Sequence, residues 1–290
     1  MKKIVFLMPV YNDWASFTKL LDEINLVIED IKEFRFDCIA INDFSTSKLP
    51  RMAKPNNIDS LKIINMKENR GHARCIASGL RFINAQKNYE YAIILDSDGE
   101  DRPIEIKDLI SLIKQEPEKT IVASRVKRSE GIIFQTLYKI HKLITLVFTG
   151  RKINFGNYCC LTKNDINLLS NKSSLWCSFS GSIKKHILNY NEIKSERGVR
   201  FFGPSKMSLI NLIIHSFAII SVFKNVVFFR SAIMIILLLF LDKFNGQILI
   251  MIQMLLVLFN IIIFVVSFRD DESALLKSHE NILNVKTITQ

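Results

Sequence analysis

Four carboxylates, Asp96, Asp98, Glu100 and Asp101, fall within six positions of the stretch YAIILDSDGEDRP, residues 91–103, directly after the apolar run Tyr91 to Leu95. In an extended chain, residues two apart point to the same side, so Asp96 and Asp98 present their carboxylates together just past the end of a buried strand. Neighbouring carboxylates repel unless a cation lies between them. Hard divalent ions such as Mg2+ or Mn2+ take oxygen ligands and keep positions open for phosphate oxygens, so Asp96 and Asp98 suit a metal bridging protein and a nucleoside diphosphate. An acidic loop capping a helix that begins near Pro103, where negative charge complements the helix dipole, explains the same residues without a metal.

The elements that must hold this loop alternate. Lys3 to Pro9 reads as a strand, Ser16 to Ile31 as an amphipathic helix with apolar Phe17, Leu20, Leu21, Ile24, Val27 and Ile28, and Phe36 to Ile41 as a second strand. Leu61 to Met66, Ala73 to Ala85, Tyr91 to Leu95, Ile104 to Lys114 and Thr120 to Ala123 continue the pattern. Strands spaced by helices predict an α/β fold, a mostly parallel sheet covered on both faces, with ligands at the carboxyl ends of the strands.

The chain has 290 residues, 49% of them hydrophobic, and the apolar residues concentrate toward the C-terminus. Val226 to Leu241 is broken only by Arg230 and Ser231, and Ile248 to Phe268 only by Gln253, Asn260 and Ser267. The second run matches the ~20 residues that cross a bilayer, so the two predict a transmembrane hairpin turned at Asp242 to Gln247. Lys224, Arg230 and Arg269 flank its open end against Lys243 alone in the far loop, which favours cytoplasmic ends. The opening MKKIVFLMPVYND imitates a signal peptide, but its apolar stretch stops at Val10 without a small-residue cleavage site and reads better as a strand. Five cysteines without a CxxC pair fit reduced thiols rather than disulfides or zinc. A net charge of +11 implies an anionic partner, and with membrane helices present the lipid surface is favoured over nucleic acid.

MPVYND (8–13), INDFSTS (41–47), NRGHARCIASG (69–79) and LDSDGEDRP (95–103) fall in order at the strand ends. Together they resemble the family 2 glycosyltransferases of the GT-A fold, in particular the polyprenyl-phosphate glycosyltransferases, the group that contains dolichol-phosphate mannose synthase. ASRVKRSEG (123–131), FGNYCCLTKND (155–165) and RGVRFFGPSKMSLINLIIHSFAIISVF (197–223) are similar to that group's later segments. The resemblance implies a nucleotide-sugar pocket at Pro9, Tyr11, Asp43, Asn69, Gly71 and Asp96, with Asp96 and Asp98 as the family's DxD pair and Glu100, where relatives commonly have glutamine, as a further oxygen ligand of the metal. From spacing alone, Asp43 reads equally as a turn residue beside Ser45, and Asn69, Gly71 and Gly79 as a strand-to-helix turn followed by close helix packing. The sequence departs from the family's pattern at Asn42, Phe44, Glu100, Arg102, Asn157 and Cys159. Asn157 and Cys159 stand where relatives often carry Asp and Arg of a Gly-Asp-Phe-Arg segment.

Arg125, Arg128, Arg197, Arg200 and Lys206 suit a second anion, a diphosphate or an acceptor phosphate near the membrane, or else positive-inside anchoring. Gln135 to Phe148 and Met207 to Phe223 read as helices resting at the interface, with His215 as interfacial packing rather than a metal ligand. The leading expectation is a membrane-anchored inverting glycosyltransferase using Mg2+ or Mn2+, with Asp98, Asp101 and Arg125 as catalytic residues and polyprenyl phosphate as acceptor. An acceptor phosphate, with a second pKa near ~6, attacks without strong help from a base. The runner-up transfers to a hydroxyl with Asp101 as base, and a third reading is a degenerate membrane scaffold. The expected layout is a catalytic domain over 1–200, a juxtamembrane segment over 201–225, the hairpin over 226–268 and a cytoplasmic tail over 269–290. It sits at the plasma (bacterial inner) membrane, with membrane lipids as partners and room for a homo-oligomer.

Overall fold

The structure is a computed structural model that describes residues 1–127, 132–204, 208–240 and 246–289. Arg128, Lys206, Lys243 and most of the expected hairpin turn lie outside the described residues. The chain opens with β1 (Lys2–Val10), α1 (Trp14–Val27), β2 (Phe34–Asn42), β3 (Ser60–Met66), α2 (His72–Gln86), β4 (Tyr91–Ile94), α3 (Ile106–Gln115) and β5 (Thr120–Lys127). It continues with α4 (Ile132–Thr149), β6 (Phe155–Thr162), α5 (Lys163–Leu169), α6 (Ser174–Cys177), α7 (Phe179–His186) and β7 (Tyr190–Glu196). Last come α8 (Leu209–Ser221), α9 (Lys224–Phe240), α10 (Gly246–Ser267), α11 (Glu272–Leu276) and β8 (Ile282–Ile288).

The eight strands form one sheet in the order β7-β5-β6-β4-β1-β2-β3-β8. Parallel pairing joins β4, β1, β2 and β3, whereas β6 runs antiparallel to β4 and β5, and β8 antiparallel to β3. Successive side chains of a strand face opposite ways, and β1 shows what that does. Ile4, Phe6, Met8 and Val10 pack with α1 and α3, while Val5 and Leu7 pack with α2, α5, α6 and α7. Pro9 is tolerated in this central strand because β4 pairs only up to Leu7, leaving no ladder partner there for the missing N–H.

The expected tail, residues 269–290, contains a strand. Ile282–Ile288 returns to the domain and extends the sheet beyond β3, with Asn65 Nδ2 donating to Asn284 Oδ1 at 2.7 Å. Among the described residues, α10 is the one helix long and apolar enough by itself to cross a bilayer; α8 and α9 pass the same test only as a pair bent by 87°. The expected two-helix hairpin is therefore supported in one arm, and α9 alone is the shorter one. Arg230 of α9 donates to the Val147 carbonyl at 3.0 Å, satisfying an orphan acceptor in the last turn of α4 and tying the two helices together.

All five cysteines are free and buried, and burial raises each thiol above its ordinary value. Thiolate is the reactive form. The native protein is expected to give no signal with 5,5'-dithiobis(2-nitrobenzoate), and denaturant to release all five thiols.

Candidate active site

The segments that follow the parallel strands gather at one edge of the sheet, as the alternation of β and α requires. Beyond β1, Asn12 adopts a left-handed φ of 51° and its side-chain oxygen accepts from Ser47 N at 3.0 Å. Beyond β2, buried Asp43 accepts Arg70 N at 2.8 Å and Gly71 N at 2.9 Å on its two oxygens. Asn69 Nδ2 donates to the Asp43 carbonyl at 3.2 Å. Asp43 thus shapes the turn into α2, the segment that holds Asn69 and Gly71. Gly71 precedes the helix at φ 88°, a conformation that glycine adopts at little cost. Tyr11 and Phe44 stand exposed at the ends of β1 and β2.

The acidic loop after β4 closes on itself. Asp101 is buried, accepts the Asp96 amide at 2.9 Å and faces Arg125 at 3.8 Å. Burial, then the Asp96 charge, pushes its carboxyl up to about 7 against the pull of Arg125. Asp96 takes the opposite direction. Burial raises it, but His72 at 3.0 Å, Arg125 and the Asn157 amide at 3.3 Å outweigh burial and hold it far below the usual carboxylate range. Burial draws His72, the first residue of α2, down, but the charge and hydrogen bond of Asp96 together with the charges of Asp101 and Asp98 leave it raised. Asn157 Nδ2 lies 2.8 Å from His72 Nε2, so the three side chains form a triangle.

A strap of residues 197–203 lies across this loop. Gly198 N donates to the Glu100 carbonyl at 2.8 Å and Phe201 N to the Asp98 carbonyl at 2.9 Å. The Phe201 ring rests on Gly99, where any Cβ would lie 2.5 Å from it. Arg197 pairs with Glu100, and Arg200 bridges Asp13 and Asp98, the latter at 2.8 Å. Burial and the charges of Asp96 and Glu100 push the Asp98 carboxyl up to about 6. Among the described residues, no group of three or more His, Cys, Asp or Glu side chains is arranged to hold a metal. The expected set of Asp96, Asp98 and Glu100 is not assembled: each acid faces a different cation, and Glu100 is turned to Arg197. Asp98 nevertheless directs an oxygen at a guanidinium, so a cation-seeking carboxylate is in place.

Arg125 sits where its precursor strand predicts, its guanidinium over Gly156. A Cβ there would come within 2.7 Å of Arg125 NH2, the far end of a flexible side chain. Gly156→Ala is therefore expected to leave the melting temperature unchanged but displace Arg125, lowering kcat/KM by about 10- to 100-fold, the scale of a 1 Å misplacement. Asp13, His72 and Asn157 were not singled out as site residues in the sequence. The signal for the first two is their place beside strand-end turns, Asp13 in MPVYND and His72 directly after Gly71.

A mostly parallel sheet with a glycine turn after β3 and an acidic loop after β4 at one edge is the architecture of the GT-A glycosyltransferases. Glucosyl-3-phosphoglycerate synthase of Mycobacterium tuberculosis, solved with Mn2+, uridine-diphosphate-glucose and phosphoglyceric acid, shares the fold at a TM-score of 0.52 and 13% identity, over 78% of this chain and 80% of that one. The chain belongs to Glycosyl transferase family 2, whose sequence pattern matches residues 5–181. Undecaprenyl-phosphate 4-deoxy-4-formamido-L-arabinose transferase of Yersinia pestis is 24% identical over 220 residues, 73% of this chain and 64% of that protein. An uncharacterized protein of Methanocaldococcus jannaschii is 28% identical over 115 residues, 38% of this chain. The chain spans 47% and 64% of the lengths of these two relatives.

Proposed function

We propose that this glycosyltransferase moves a sugar from a nucleoside diphosphate donor to the phosphate of a membrane-bound polyprenyl acceptor, at the cytoplasmic face of the plasma membrane. One observation carries the acceptor reading: Arg125 lies near the end of β5, facing Asp101 of the acidic loop, and α4 begins at Ile132, presenting Leu137, Ile140, Leu143, Leu146 and Val147 to the outside. Few residues thus separate a site cation from an apolar helix face of the kind that lies in a lipid interface. The Yersinia relative, named for action on undecaprenyl phosphate, points the same way.

The residues divide the work by charge. Breaking the bond to the nucleoside diphosphate leaves negative charge on the departing phosphate, and preorganised cations stabilise it as it develops. Arg200 and Arg197, already beside the acidic loop, would hold that diphosphate, with Tyr11, Asn69 and Gly71 bordering the nucleotide. Asp98, assisted by Asp96, would hold a divalent ion, which supplies Lewis-acid stabilisation of the leaving diphosphate. Asp101 is buried and accepts the Asp96 amide, so in this reading it positions the acidic loop, and a phosphate acceptor needs no base from it.

The test is incubation of the full chain with radiolabelled UDP- and GDP-sugars and undecaprenyl phosphate, with Mn2+, Mg2+ or EDTA. Label in a chloroform-soluble product is the expected result. Label found only in glycan hydroxyls, or none with any donor, would sink the proposal.

A further inference from the structure

Two arginines of one strap hold two of the three acids expected at a metal. Arg197 pairs with Glu100, and Arg200 donates from one terminal nitrogen to Asp98 Oδ2 at 2.8 Å while the other pairs with Asp13, just past β1. Arg200 Nε donates to the Phe202 carbonyl at 3.1 Å, so all three of its nitrogens are engaged. The side chains of Arg200, Asp13 and Asp98 are only 14%, 11% and 17% exposed. Ion pairs this far from solvent are screened much less by salt than surface pairs, so the bridge is a durable contact.

Contacts that do not involve these charges keep the strap on the loop. Besides the two main-chain hydrogen bonds and the Phe201 ring on Gly99, a Cβ at Gly198 would fall 2.8 Å from the Gly99 carbonyl oxygen, so the backbones themselves touch. Lys19 of α1 stands 4.5 Å from the centre of the Phe201 ring. Just upstream, Glu105 accepts Ser195 Oγ at 2.8 Å and Glu196 N at 3.0 Å. The arginine side chains can therefore change partners while the strap stays in place. Asp98 gives one oxygen to the Glu100 amide at 3.0 Å, and the oxygen left for a cation is the one that Arg200 takes. A guanidinium and a divalent ion at one partly buried carboxylate oxygen repel each other, so either tends to exclude the other.

We propose that Arg200 is a built-in competitor of the divalent ion at Asp98, and that an ion taking Asp98 turns the guanidinium, still held by Asp13, over to the donor diphosphate. The exchange keeps charge paired, carboxylate to metal and guanidinium to phosphate. Ion and diphosphate then each favour the binding of the other, as linkage requires. The inference rests on the metal and donor roles proposed above and makes the strap the element that couples them.

Mn2+ alone would be titrated into full-length wild-type, Arg200→Gln and Arg125→Gln proteins, with the free ion followed by electron paramagnetic resonance. Arg200→Gln should bind Mn2+ about tenfold more tightly than wild type, the worth of one hydrogen bond between charged groups. Arg125→Gln removes the same charge from beside Asp101 without breaking a contact to Asp98, and its Mn2+ affinity should stay near wild type. Equal tightening in the two variants would mean a diffuse effect of charge and would overturn the proposal. So would unchanged or weaker Mn2+ binding by Arg200→Gln, or no binding by any of the three. The complementary titration uses UDP and GDP in EDTA. Asp98→Asn should bind one of them more tightly than wild type, because Arg200 is released to the diphosphate, and equal or weaker binding would count against the exchange. Should neither nucleotide bind any protein, with or without Mn2+, the donor reading falls on its own, and the Mn2+ comparison between wild type and Arg200→Gln still decides whether Arg200 competes for Asp98.

Discussion

Asp98→Asn protein is expected to lose at least about 100-fold in kcat, the scale on which removal of one preorganised electrostatic group acts, while melting no lower than wild type. Asp98 accepts the Glu100 amide at 3.0 Å on one oxygen and Arg200 on the other, so it is the point where the acidic loop meets a cation. Asparagine keeps the shape and can still accept the Glu100 amide, but it removes the charge on which a divalent ion or Arg200 depends. The fold should not suffer. Burial and the nearby charges of Asp96 and Glu100 already make the ionised form of Asp98 costly, and a neutral side chain relieves that repulsion. Radiolabelled sugar transfer and thermal melting, measured on one preparation, check both halves. Turnover near the wild-type level would remove Asp98 from the chemistry, and a collapse of the melting temperature would recast it as structural.

The largest stability effect is expected at Gly79. This residue lies in α2 over the middle of the sheet, and a Cβ added there would fall 2.5 Å from Leu7 Cδ1 and 3.2 Å from Ile41 Cδ1. Both targets are fully buried, on β1 and β2, with neighbours that leave them little room to yield. Glycine in a helix costs roughly 0.5–1 kcal/mol relative to alanine, so its presence here marks a close approach between helix and sheet. Gly79→Val should destabilise the protein by about 3 kcal/mol, the upper end of overpacking costs, read as a lower urea midpoint. Activity should fall in step, because α2 carries His72 and β1 leads to Asp13. A midpoint equal to wild type would mean that α2 rides further from the sheet than 2.5 Å implies.

The sequence foretold these elements unevenly, for physical reasons. The parallel strands were legible because they are buried on both faces and read as continuous apolar runs, as in Tyr91 to Leu95. α1 ends at Val27 instead of Ile31, since a helical apolar period continues through the turn that follows. β8 was missed for the opposite reason: at the sheet edge most of ILNVKTI is exposed, so no hydrophobic alternation announces it. At the site, the positions of Asp96, Asp98, Arg125 and Arg200 could be read from strand ends and charge. Their partners could not, because the His72–Asp96–Asn157 triangle and the Arg200 bridge join segments far apart in the chain. Asn157 was visible only as an unexpected residue, and the structure supplies the contact that accounts for it.

The pairing of β8 with β3 constrains how the protein can meet a bilayer. β7 and β8 are stitched into the same sheet, so the polypeptide between them leaves one side of any lipid layer and must come back to that side. The number of passages in between is consequently even: none or two. If α10 goes through, a second passage has to be supplied by the residues before it, and α9 with its 17 residues is the candidate for the outward leg. A seven-residue strand at the margin of the catalytic sheet thus acts as a parity rule for the membrane part, one that hydropathy could not have provided.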